Sequence, residues 1–235
     1  MSPTKKSKAP AENPVTFPVE IRYARCAYAS FAVKAAAAAE VLSDADLRPK
    51  VFPGGIAIVS IAAVEYIDGD LGPYHEVALS LLVEHPDASG NGKFGAFIRQ
   101  LPVNQPYTMK IGREVWGFPK EVTDIDIDFL PGGAARAELR YEDRMAMRLT
   151  VGRGLSMPSR PSAVDAYSFL DGIRRRTSWS LEASGTKMRP AGARVEIGDG
   201  HPFVDDLRAL GFPRRSLAGG TVARLSMSFG PAKEV

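Results

Sequence analysis

Lys110-Ile-Gly-Arg-Glu-Val-Trp-Gly-Phe-Pro-Lys-Glu121 mixes charged side chains with a tryptophan and ends on a lysine directly behind a proline. Upstream, Pro106 can open a short helix as its first residue, with Asn104 or Gln105 in front to cap it. Gly117 and Pro119 stop that helix, so Lys120 leaves the turn on a rigid, non-helical backbone. A lysine held there beside Trp116 and Phe118 loses hydration, and burial disfavours its charged form. The free amine that results is a nucleophile toward carbonyls. On spacing alone, a lysine behind a helix is more commonly a solvated surface charge, and Arg113 with Glu114 an ordinary exposed pair.

Working back from this stretch, residues 94–103 read as a strand, with Phe94, Phe97 and Leu101 available for core or pocket. Residues 84–93 form a polar turn. Two apolar runs, 56–67 and 74–85, flank the turn chemistry of Asp68-Gly-Asp-Leu-Gly-Pro73 and predict a hairpin. Alternation puts Glu76 on the face opposite His75 and Val77. Further upstream, 15–33 reads as strand, with Tyr23, Cys26, Tyr28 and Phe31 among Ala and Val and with Arg22 and Arg25 facing elsewhere. An alanine-rich helix over 34–42 follows, ended by Ser43 and Asp44.

Forward from Lys120, Val122, Ile125, Ile127 and Phe129 alternate as a strand. Residues 135–141 and 145–151 pair across Glu142-Asp-Arg144. Residues 152–163 are a Pro/Ser/Gly-rich loop. The segment 167–181 carries Arg174-Arg-Arg176 and Trp179, and the arginine run reads as a solvated strand edge or an oligomer contact. Residues 191–197 and 221–229 look like closing strands, with a short helix between them stopped by Gly211.

The 235-residue length suits one large all-β or α+β domain, and 45% apolar content supplies a sizeable core. We expect a disordered arm over residues 1–14 and a single domain over 15–235. The net charge of +3 lies partly in Lys5, Lys6 and Lys8, which argues against a nucleic-acid surface. Residues 1–14 hold no apolar run, so no membrane partner is expected. One cysteine fits a reducing, cytoplasmic setting. No phosphate loop, dinucleotide fingerprint or zinc spacing appears, so neither cofactor nor metal is expected.

Gly112-Arg113-Glu114, two residues, then Gly117-Phe118-Pro119-Lys120 resembles the signature of the acetoacetate decarboxylase family. The resemblance implies that Lys120 forms a Schiff base with a keto acid. Activation by desolvation or a neighbouring cation is the device known from acetoacetate decarboxylase itself. The first strand, short helix and Leu-Arg-Pro turn resemble the family's amino-terminal part, which implies an active-site arginine in that strand. Arg25 is the preferred match over Arg22, and such an arginine would receive the substrate carboxylate by paired hydrogen bonds. Leu71-Gly-Pro-Tyr-His-Glu76 resembles the family strand that carries an active-site glutamate, making Glu76 an acid–base or positioning group. Arg113 and Glu114 would hold the local network, with Trp116 and Phe118 beside the substrate.

Two positions depart from the family pattern. An acidic residue expected fifteen positions before Glu76 falls on Ile61, which would make the pocket drier. A second lysine expected after the first is Glu121, which would favour the ammonium if it approached the amine. The fold implied is mainly β (α+β): a closed, antiparallel, cone-like barrel wrapped by further strands and a few helices. The activity implied is cofactor-free decarboxylation of a small β-keto acid through an iminium on Lys120, in a homo-oligomer. Aldol, dehydration or hydration chemistry on a keto acid and a non-catalytic binding barrel are the other readings.

Overall fold

The computed structural model describes residues 15–86, 94–159 and 161–235. The expected arm over 1–14 and most of the turn over 84–93 therefore lie outside the described residues. In chain order the elements are β1 (Val19–Lys34), α1 (Ala35–Val41), β2 (Ile56–Gly69), β3 (Tyr74–Glu84), β4 (Phe94–Gln100), α2 (Pro106–Trp116), β5 (Asp124–Leu130), β6 (Ala134–Tyr141) and β7 (Arg144–Val151). There follow β8 (Leu155–Ser156), β9 (Ser162–Leu170), β10 (Ile173–Ser184), β11 (Lys187–Pro190), β12 (Ala193–Ile197), α3 (Pro202–Ala209), β13 (Ser216–Phe229) and β14 (Lys233–Glu234).

A ten-stranded sheet runs β14-β10-β9-β4-β3-β2-β1-β13-β11-β8. It curls until β10 also pairs with β13, from Trp179 opposite Phe229 to Ser184 opposite Arg224. Seven strands thus close into a barrel, with β8, β11 and β14 as outer additions. One join departs from the antiparallel expectation. β4 meets β9 in parallel, at Ala96–Ala166 and Phe97–Tyr167. The chain between them makes α2 and all of β5–β8, and a connection of that length can return a strand in its original direction.

Along most of β1–β3 both faces of the barrel wall are covered, because a second sheet, β12-β7-β6-β5, contributes to a core outside it. Ile125, Leu139, Met147 and Leu149 from that sheet join Phe31, Ile61 and Leu79 from the barrel strands and Phe203 and Leu207 of α3 in one cluster. The alternate residues of the same barrel strands form a separate inner cluster with Ile21, Val64, Tyr74 and Phe229. Along β1–β3 period-two alternation therefore sorts residues between two cores, whereas β10 leaves Ser178, Ser180, Glu182 and Ser184 to solvent.

The segment 167–181 is a hairpin, turned at Asp171-Gly172 with φ of 53° and 76°. Asp-Gly is the pair that a tight hairpin favours. Arg174 and Arg175 serve the fold rather than a solvated edge. Arg174 donates to the carbonyls of Asp46 at 2.9 Å and Ala45 at 3.3 Å. Arg175 packs on Gly117 at the C-terminus of α2, where a cation complements the helix dipole.

Candidate active site

α2 forms as its sequence directs. Pro106 is the first helical residue, and the Gln105 side chain accepts from the Thr108 N–H at 3.0 Å. Gly117 ends the helix at φ 63°, where the Gly117 and Phe118 N–H groups donate to the carbonyls of Arg113 and Gly112. Glycine takes this left-handed geometry without strain. The helix end is pinned to the barrel from both sides. Trp116 Nε1 donates to the Gly230 carbonyl at 2.9 Å, and Ser168 Oγ donates to the Trp116 carbonyl at 2.8 Å.

The turn delivers Lys120 inward. Its carbonyl accepts from Arg113 Nη1 at 3.2 Å, and its N–H donates to the Phe118 carbonyl at 2.7 Å. The side chain lies across Gly112, so close that a Cβ there would meet Lys120 Cδ at 2.5 Å. Lys120 is 4% exposed and its Nζ sits 2.7 Å from Glu76 Oε2, on a residue that is itself 6% exposed. That contact lies off the hydrogen-bonding direction, leaving Oε2 without a well-formed hydrogen bond. The other oxygen, Oε1, accepts from the Tyr66 hydroxyl at 2.9 Å. Tyr66 stacks on Tyr74 with ring centroids 4.1 Å apart, and Lys120 Nζ lies 5.1 Å from the Tyr74 centroid.

This ion pair forms the polar end of a cavity of about 210 Å³ inside the barrel. Ile21, Leu71, Leu101, Leu181, Met227 and Phe229 supply much of its wall, together with Trp116 and Phe118. Burial, and then the charge of Glu76, push both tyrosine hydroxyls well above their ordinary range, so they stay protonated donors. The same two causes push the Cys26 thiol, also on the cavity wall, up to about 12. The thiolate is the reactive form. Native protein at pH 8 is therefore expected to resist a thiol reagent that labels the unfolded chain, and rapid native labelling would place Cys26 elsewhere.

Of the residues singled out in the sequence, the fold gathers Lys120, Glu76, Trp116 and Phe118 around one cavity. Arg25 does not line it. The guanidinium is bound to Glu65, with Nε 2.6 Å from Oε2, and lies over the Phe129 ring. Arg22 is half-exposed and held by Asp68 and Asp70. Arg113 reaches the site only through the Lys120 carbonyl, and Glu114 is exposed.

Glu121 points away from the amine. Its Oε1 sits 3.0 Å from His201 Nε2. His201 Nδ1 accepts from the Phe203 N–H, and the Nε2–Glu121 contact lies off the hydrogen-bonding direction. Ile61 does not dry the pocket. It is fully buried in the outer core, because alternation turns its neighbour Ala62 inward instead.

Tyr66 and Tyr74 were not foreseen, although a signal was present. Tyr74 stands two residues before Glu76 on the same face, and Tyr66 lies directly opposite Tyr74 in the hairpin. Among the described residues, no cluster of His, Cys, Asp and Glu could hold a metal ion, and no helix is long and apolar enough to cross a membrane.

A family model described as acetoacetate decarboxylase matches residues 1–230. A search of the curated proteins finds no match. Among solved structures, the enduracididine biosynthesis enzyme MppR complexed with pyruvate is similar at TM-score 0.70 and 18% identity, over 95% of this chain and 93% of that one. A structure from studies of acetoacetate decarboxylase is similar at TM-score 0.63 and 16% identity, covering 98% and 95%. The acetoacetate decarboxylase of Legionella pneumophila gives TM-score 0.65 at 16% identity, covering 93% and 87%. At these identities the likeness is one of fold.

Proposed function

The chain belongs to the acetoacetate decarboxylase family, and from that premise we propose that Lys120 is the Schiff-base lysine of a lyase that decarboxylates a small β-keto acid. The observation that carries this reading is the buried Lys120–Glu76 contact of 2.7 Å at the one polar end of an apolar cavity. A buried ammonium can hand its proton to the carboxylate beside it, which frees the amine at little cost in solvation.

The amine attacks the ketone carbon, and the carbinolamine loses water to give an iminium. The bond to the carboxylate carbon then breaks. Its electron pair moves into the iminium, CO₂ leaves and an enamine remains. Glu76 spends the proton it took on the departing hydroxyl, so the proton that then reaches the enamine carbon is drawn from solvent through the re-protonated Glu76, and water releases the ketone and the Lys120 ammonium. Tyr66, donating to Glu76 Oε1, steadies the carboxylate through these transfers. The dry wall favours CO₂ loss, because the substrate's negative charge spreads out as the bond breaks.

Borohydride reduction in the presence of acetoacetate is expected to add a reduced substrate fragment to Lys120, with CO₂ released in parallel turnover. No adduct across a panel of keto acids would overturn the Schiff-base reading and leave a binding barrel. A second reading keeps the lysine but makes it condense or dehydrate keto acids. It is motivated by the absence of any arginine among the described cavity-lining residues, together with the pyruvate bound to MppR. Adduct formation without CO₂ release, and with enlarged keto-acid products, would select it.

A further inference from the structure

We infer that the substrate of this site carries a hydrocarbon tail of about six carbons on its ketone, in place of the methyl of acetoacetate, an inference resting on the Schiff-base reading above. The space comes from three alanines. Ala62 on β2, Ala78 on β3 and Ala166 on β9 all face inward and line the cavity, where larger side chains would fill it. An apolar cavity of about 150 Å³ holds a benzene ring and stays dry otherwise. A cavity of about 210 Å³ takes such a six-carbon body and leaves room for the reacting carbonyl carbons beside Lys120.

Acetoacetate would leave most of that volume unfilled. Water is a poor substitute there, because each molecule needs two to four polar partners and, apart from Lys120, Glu76 and the two tyrosines, the described lining adds only the Trp179 indole N–H and the Cys26 thiol. Nor does the wall offer a second anion anything to bind. Lys120 is the only cation among the described lining residues, and the positive charge its iminium keeps is matched by the carboxylate that leaves. Arg22 and Arg25 are held outside by Asp68, Asp70 and Glu65. Trp179 Nε1, buried and unpaired among the described residues, is a neutral donor that can take one oxygen but cannot balance a charge. Recognition therefore falls to the tail, with the carboxylate held loosely and lost as CO₂.

The test is a series of 3-oxo acids running from a methyl to a hexyl tail, with benzoylacetate added, assayed for CO₂ release and borohydride trapping. We expect kcat/KM to rise about fourfold per methylene until the cavity is full, which is roughly 10²-fold between methyl and pentyl. Ala166→Leu is expected to move the optimum to a shorter tail. A flat or falling series, with adducts still forming on Lys120, overturns the tail assignment and leaves the Schiff-base reading intact. An independent arm uses butylbenzene, which has no carbonyl, and reads thermal stabilisation of Lys120→Met/Glu76→Gln. Stabilisation without an adduct from any 3-oxo acid supports the apolar occupant and removes the Schiff base. No stabilisation overturns the tail assignment.

Discussion

Lys120→Met is expected to abolish the borohydride-reducible adduct and to lower turnover by roughly 10⁴-fold or more, the scale on which losing a covalent nucleophile acts. The same substitution reaches the fold through Glu76. With its partner gone, that carboxylate stays buried at 6% exposure, with Tyr66 as its one remaining donor among the described residues. Breaking a buried pair from one side costs about 3–5 kcal/mol. For a chain of this size that is a fall in Tm of roughly 6–20 °C. Lys120→Met/Glu76→Gln removes the stranded charge while keeping a side chain that can accept from Tyr66. The double variant should therefore recover most of the lost stability and none of the activity. Turnover surviving in Lys120→Met would dismiss the nucleophile. A double variant no more stable than the single one would mean that the ion pair is not what the site's stability depends on.

What could be read from the chain in advance divides along a physical line. α2 and its turn were legible almost to single residues, with only the cap left between Asn104 and Gln105, because Gln105, Pro106 and Gly117 act on atoms only a few positions away. The β2–β3 hairpin and the β6–β7 hairpin were legible for the same reason. The inner face of the barrel was not. Alternation separates the faces of a strand but does not say which one borders a cavity, and along most of β1–β3 both are covered. Ile61 and Ala62 illustrate this. The large residue goes to the outer core and the small one to the cavity, so the position counted as a missing acid never faced the substrate. Glu121 is similar, since its partner His201 arrives from α3, far along the chain. The arginines show the limit of resemblance. Arg25 lies in the expected strand, yet Glu65 opposite it in β2 claims the guanidinium. Closure of the barrel between β10 and β13 depends on pairings between distant segments that no local pattern announces.

Gly112→Ala should separate catalysis from stability in the opposite direction. Gly112 sits inside α2, where alanine is favoured over glycine by about 1 kcal/mol. Its φ is not in the left-handed range, so the backbone itself does not require glycine. The requirement comes from Lys120. A methyl group at 112 would lie 2.5 Å from Lys120 Cδ and 2.7 Å from Cε, well inside contact distance. The outer end of a lysine can normally swing away from such a clash. Here it cannot do so freely, because Nζ is held at Glu76, the backbone is fixed by Arg113, and the aromatic wall is packed. The amine must shift by something near an ångström, and a displacement of that size costs about 10²-fold in rate. We therefore expect kcat and the rate of adduct formation to fall by about that factor while Tm changes little, the helix gain being offset by the loosened Lys120–Glu76 pair. If Gly112 mattered only for packing, the pattern would reverse, with Tm lowered and activity per folded molecule unchanged. That reversal would remove the argument that this helix accepts a glycine in its interior so that the lysine can lie across it.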